Sequence, residues 1–154
     1  MIKIYDWSNR FIEFKGVSLM PYYCAKGKLY IGVERNLDDC PLNINEKRAL
    51  GCYMRGITLN GAKMLLRNDI KRAYTNLKKI IFNFEKLDSN RQFAMIEMYL
   101  VLGDKKFRKH KRLRRFIGSG DYKTASVEFL MSDYAVEVPD RVKKIMNIIL
   151  TGEW

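Results

Sequence analysis

The sequence predicts a predominantly helical α+β protein, on three observations. From Thr58 onward apolar residues recur in steps of three and four (Ala62, Leu65, Leu66, Ile70, Ala73, Tyr74, Leu77, Ile80, Ile81), the pattern of one long amphipathic helix. Residues 17–33 instead hold two short β-prone runs on either side of the turn-like Ala25-Lys26-Gly27-Lys28, which predicts a hairpin. Residues 93–102 are apolar nearly all round and too few to cross a bilayer, which predicts a helix buried at the centre of a helical lobe.

Length and composition bound the rest. A chain of 154 residues fits one domain and buries roughly two-thirds of its unfolded surface. With 47% hydrophobic and 30% charged residues and no low-complexity tract or repeat, the composition is globular. Met1-Ile2-Lys3-Ile4-Tyr5-Asp6-Trp7 carries charge too early for a signal-peptide core, and no apolar run approaches the ~20 residues of a membrane span. The expectation is a monomer made and kept in a cytoplasm. Three cysteines, Cys24, Cys40 and Cys52, have no CxxC spacing and one histidine, His110, to join them, so neither a metal site nor a cofactor is implied. Cys52, inside a helical pattern, reads as a small core residue. The net charge of +12 suits nucleic acid, anionic wall polymers or the inner leaflet, and selects none of them.

In chain order, Ile4, Trp7, Phe11, Ile12 and Phe14 predict a first helix ending at Gly16. After the hairpin, 36–43 reads as a loop, and Asn43 or Asn45 caps a short helix running to Arg55 and stopped by Gly56. Thr58 caps the long helix. Ser89-Asn90-Arg91-Gln92 has the spacing of a capping box in front of the buried helix, which Gly103 follows. Residues 105–115 then hold eight of the 29 lysines and arginines. Ala125, Phe129 and Leu130 suggest a further helix, and Pro139 starts a last one carrying Val142, Ile145, Met146 and Ile149.

Several of these segments together resemble the phage-type lysozymes, the endolysin family of glycoside hydrolases. That family's active-site pattern is Glu-Gly, with eight residues between the Glu and an Asp or Cys, five more before a Thr, then Ile-Gly-x-Gly-His. Here Gly16, Tyr22, Gly27, Ile31 and Gly32 fall on its scaffold positions without a gap. Ile57-Thr58-Leu59-Asn60 resembles the start of its long helix, Phe116-Ile117-Gly118-Ser119-Gly120-Asp121-Tyr122 its Leu-Asn-x-Gly-Asp-Tyr, and Thr151-Gly152-Glu153-Trp154 a recurrent ending. The resemblance covers residues 4–154 and implies a single two-lobed domain. Its small β-hairpin lobe takes in about 16–57, the linking helix about 58–81, and the helical lobe about 82–154 plus the N-terminal helix.

The same alignment empties the catalytic places. The acid position holds Lys15, the Asp or Cys position Cys24, the Thr position Tyr30, and the Gly-His pair reads Glu34-Arg35. Gly32, Glu34, Arg35 and Val101, the last standing where the family has a cleft-facing Asn, fall along the implied substrate groove. Glycoside hydrolysis needs a carboxylic acid to protonate the leaving oxygen and a second group to hold water. A lysine is a poor proton donor at neutral pH, and its charge opposes an oxocarbenium-like centre. The chain therefore reads as a pseudo-lysozyme that acts by binding a peptidoglycan glycan, a protein partner or a polyanion. One rival is an active muramidase that uses Glu34, a better-placed substitute than Glu13; the bland alternative is that both are solvated acids. Another is a nucleic-acid-binding protein using Lys105, Lys106, Arg108, Lys109, Lys111, Arg112, Arg114 and Arg115, whose bland alternative is a solvated helical face anchored by Phe107 and Leu113. Cys24 lacks a neighbouring histidine to activate it, and His110 reads as a solvated polar residue.

Overall fold

The computed structural model describes residues 4–154, with side chains from Trp7 onward. Residues 1–3 of the charged N-terminus, and the Ile4 side chain of the first apolar stripe, lie outside the described residues. The chain is 68% helical around one three-stranded antiparallel sheet, the α+β class read from the sequence. By its contacts it divides into two compact units, residues 1–71 and 72–154, and the long helix contributes residues to each.

In the first unit, α1 (Ile4–Lys15) buries Trp7 and Phe11 and stops at Gly16, whose φ of +79° suits glycine and whose N–H returns to the Ile12 carbonyl at 2.8 Å. Strands β1 (Ser18–Tyr23) and β2 (Leu29–Gly32) form the hairpin, with Tyr22 opposite Tyr30 and Tyr23 opposite Leu29. The register is irregular between Ser18 and Tyr22, the stretch that holds Pro21 and so lacks one ladder donor. A third strand, β3 (Arg35–Asn36), pairs with β2 where a loop was expected to begin, since two residues are too few to show any period.

Helix α2 (Ile44–Leu50) begins at Asn43, which forms a reciprocal capping box with Glu46. The helix expected to reach Arg55 breaks at Gly51, whose φ of +60° and ψ of −128° no helix contains; a single 3₁₀ turn, Tyr53–Arg55, follows. Cys52 therefore lies between two helical pieces and is exposed, not a core residue. Helix α3 (Leu59–Ile80) starts where predicted, Thr58 Oγ1 accepting from the Gly61 N–H at 3.0 Å. Ile31 of the sheet, Leu42 and Leu65 of α3 form a core that Leu37, Leu50, Tyr53, Ile57 and Met64 cover. Each such fully buried side chain contributes about 1.5–3 kcal/mol.

The second unit is helical. α4 (Ser89–Lys109) is capped by Asp88, one residue before the expected Ser89, because the Asp88 carboxylate accepts from the Arg91 N–H at 2.9 Å while Gln92 is drawn away to the Phe84 carbonyl. It is kinked at Gly103 (φ +75°, ψ 166°). α5 (Lys111–Ser119), α6 (Tyr122–Leu130), α7 (Asp133–Glu137) and α8 (Val142–Thr151) follow, α7 being a short helix that the sequence did not announce. The core takes Phe93, Met95, Ile96 and Met98 from α4, Leu113 and Ile117 from α5, Phe129 from α6, and Ile145, Ile148 and Ile149 from α8. Arg91 closes the C-terminus of α8: it donates to the carbonyls of Ile149 at 2.8 Å and Leu150 at 3.1 Å while its guanidinium lies 3.5 Å from the centre of the Tyr122 ring. Among the described residues no helix is long and apolar enough to cross a membrane.

Candidate functional site

The site is built on the turn that joins β2 to β3. Ile31 pairs with Arg35, so Gly32-Val33-Glu34 must reverse the chain, and both Gly32 (φ +68°) and Glu34 (φ +56°) take left-handed backbone. Glycine adopts that conformation freely, whereas a glutamate there costs roughly 1–2 kcal/mol. The strained residue carries its carboxylate to Lys15, whose Nζ lies 3.3 Å from Glu34 Oε2. The Lys15 side chain is 2% exposed, that of Glu34 is 24% exposed, and the Phe11 ring lies 5.8 Å below the ammonium. Where the resemblance expects a free carboxylic acid, the chain holds a largely buried ion pair of reversed polarity.

Tyr30 stands beside it. Its ring stacks on Tyr22 at 5.8 Å and its hydroxyl accepts from Asn36 Nδ2 at 3.3 Å. Burial first, then the nearby Cys24 and Glu34, pushes the phenol up from its ordinary value, so it is a neutral donor at physiological pH. Cys24 sits in the hairpin turn, where its N–H bonds the Lys28 carbonyl and its own carbonyl receives the Gly27 N–H. It is a free, half-buried thiol.

Arg35, next to Glu34, lies inside the first unit. Its guanidinium is fixed by Glu46 Oε2 at 2.9 Å, Asp69 Oδ1 at 3.2 Å and the Cys40 carbonyl at 3.0 Å, in a cluster whose three charged side chains are all at most 6% exposed. Asn68 adds a hydrogen bond to Glu46 at 2.9 Å. This network ties β3 to α2 and α3 and so holds the Glu34 turn in place. Reasoning from the sequence did not find Glu46 or Asp69; the Asn43-x-x-Glu46 spacing carried the signal for Glu46, and nothing local marked Asp69.

In the second unit Val101 is half-buried, two residues before the Gly103 kink. Beyond the kink the eight cations of 105–115 divide. Lys106 pairs with Glu137, Arg108 with Asp104 and Arg112 with Glu128, and Arg114 donates to the carbonyls of Ile80 and Arg108. Burial lowers the guanidinium pKa of Arg114. Lys105, Lys109, Lys111 and Arg115 are exposed and make no ion pair among the described residues, while Phe107 and Leu113 are buried. His110, expected to be solvated, is 18% exposed at the joint of α4 and α5, 3.4 Å from Asp133. A further polar cluster went unnoticed because it sits in a stretch that is apolar nearly all round: Glu97, fully buried, accepts from Tyr134 at 3.1 Å and Arg141 at 3.0 Å. Among the described residues no three metal-ligating side chains converge.

Compared with known proteins, the chain matches the phage lysozyme family over residues 12–146. No curated protein sequence matches it.

Proposed function

The chain belongs to the phage lysozyme family, and from that premise we propose that it is a member that has kept the fold and abandoned glycoside hydrolysis, acting by binding a glycan strand. The observation that carries this reading is the Lys15–Glu34 ion pair in the place of the family's acid. An ammonium held by a carboxylate offers no proton to a glycosidic oxygen, and a carboxylate held by an ammonium is the charged form, unable to act as the general acid. Tyr30 adds a ring where the family's threonine leaves room for water. Loss of a positioned general acid alone costs on the order of 100- to 10,000-fold.

The decisive experiment uses the unaltered protein on purified peptidoglycan. No reducing ends should appear above background, while the protein should still sediment with the insoluble wall. Lys15→Glu combined with Glu34→Gly and Tyr30→Thr should then bring back slow cleavage. Turnover by the unaltered chain at a rate like that of an active endolysin, abolished by Glu34→Gln, would overturn this reading and make Glu34 the catalytic carboxylate.

A further inference from the structure

We propose that the face built from the end of α4 with α5, α6 and α7 is a docking surface for an anionic lipid bilayer. Three contacts stitch these elements together within the second unit: Lys106 to Glu137, His110 to Asp133 and Arg112 to Glu128. Lys106 and Arg112 neutralise Glu137 and Glu128 there. The cations left over form two pairs spaced i, i+4, Lys105 with Lys109 and Lys111 with Arg115, one on each side of the bend at His110. Like charges at that spacing repel and weaken a helix, so the pairs do not serve the fold.

The elements that carry these carboxylates, α6 and α7, also expose apolar side chains. Val127, Leu130 and Met131 share one face of α6 and its end, at 54%, 47% and 79% exposure, and Val136 of α7 is 81% exposed. Val136 and Met131 are the two most exposed large apolar residues described. Charge complementarity alone would suit DNA or a wall polymer as well as a membrane. Neither polymer covers valine and methionine, whereas a leaflet meets both needs: anionic headgroups take the ammonium and guanidinium groups, and the acyl boundary takes the apolar tips.

The test is co-sedimentation of the intact protein with vesicles of mixed phosphatidylglycerol and phosphatidylcholine, with phosphatidylcholine alone as the neutral surface and duplex DNA as the soluble polyanion. The mixed vesicles should capture the protein at low salt and the neutral ones should not. Met131→Ser with Val136→Ser should lower the vesicle partition about tenfold or more and leave DNA binding and thermal unfolding unchanged. Lys105→Gln, Lys109→Gln, Lys111→Gln and Arg115→Gln together should lower it by roughly two orders of magnitude or more, each cation near an anionic leaflet contributing about fivefold. No capture by mixed vesicles at low salt overturns the proposal. Capture that ignores the Met131/Val136 change overturns it too, and makes the face a site for polyanions only.

Discussion

Replacing Glu34 separates two opposed energies that meet at one residue. The Lys15 side chain is 2% exposed, so removing its carboxylate leaves a buried ammonium; for a fully buried pair that costs about 3–5 kcal/mol, and the 24% exposure of Glu34 moves the expectation to about 2–3. The backbone at 34, with φ of +56°, pulls the other way: glycine there relieves roughly 1–2 kcal/mol that any other side chain keeps. Glu34→Gln should therefore destabilise the protein by about 2–3 kcal/mol and Glu34→Gly by only about 1. Lys15→Met combined with Glu34→Gly removes both the charges and the strain and should return stability to within about 1 kcal/mol of the starting protein. Urea unfolding at neutral pH measures all of these, together with Lys15→Met alone, as a double-mutant cycle. If glutamine at 34 is no worse than glycine, the strain argument fails; if the two single changes simply add within about 0.5 kcal/mol, the pair is not coupled and the buried ion pair is not what holds the turn.

Two further outcomes follow from the polar clusters. Arg35→Met leaves Glu46 and Asp69 buried together without their cation and should cost about 3–5 kcal/mol in urea unfolding, with Arg35→Lys intermediate because a point charge cannot reproduce the fork that meets both carboxylates and the Cys40 carbonyl. Near the Gly103 kink, the hydrogen bond from Arg108 holds the Asp104 carboxyl below its ordinary 3.8. A depressed carboxyl stabilises the fold above that ordinary value and loses its contribution as pH falls through the lower, folded one, so the gap in melting temperature between the starting protein and Asp104→Asn should be small at neutral pH, the pair being so exposed, and vanish in acid.

What was legible in the sequence was whatever depends on period and local chemistry. The Thr58 cap and the run from Ala62 to Ile80 specify α3 because helix, cap and apolar stripe agree over six turns. Gly16 and Gly27 mark the start and the turn of the hairpin because few other residues tolerate their backbone. The failures have equally local causes. Gly51 sits inside an apolar pattern that a helix would accept, and only its observed dihedrals show that the chain uses it to stop. The cap of α4 shifted to Asp88 because a carboxylate competes better than serine for a charge-favourable helix start.

The site was legible position by position and illegible as a unit. Sequence spacing brought out Lys15 and Glu34 separately, one as a lost acid and the other as a possible replacement, although they are two halves of one contact. Contacts between residues nineteen positions apart leave no trace in periodicity, and the same holds for Arg35 with Asp69, thirty-four positions apart. What makes the pair interpretable is its cost. A left-handed glutamate and a buried lysine each destabilise the fold when considered alone, and the ion pair between them offsets that cost. Either residue without the other is unfavourable: a glutamate at 34 beside an acid at 15 would set two carboxylates against each other, and a lysine at 15 without Glu34 is a buried charge without that partner. The double-mutant cycle therefore measures more than stability. A coupling of about 2 kcal/mol would mean that changing one residue alone is penalised, and that 15 and 34 are best changed together.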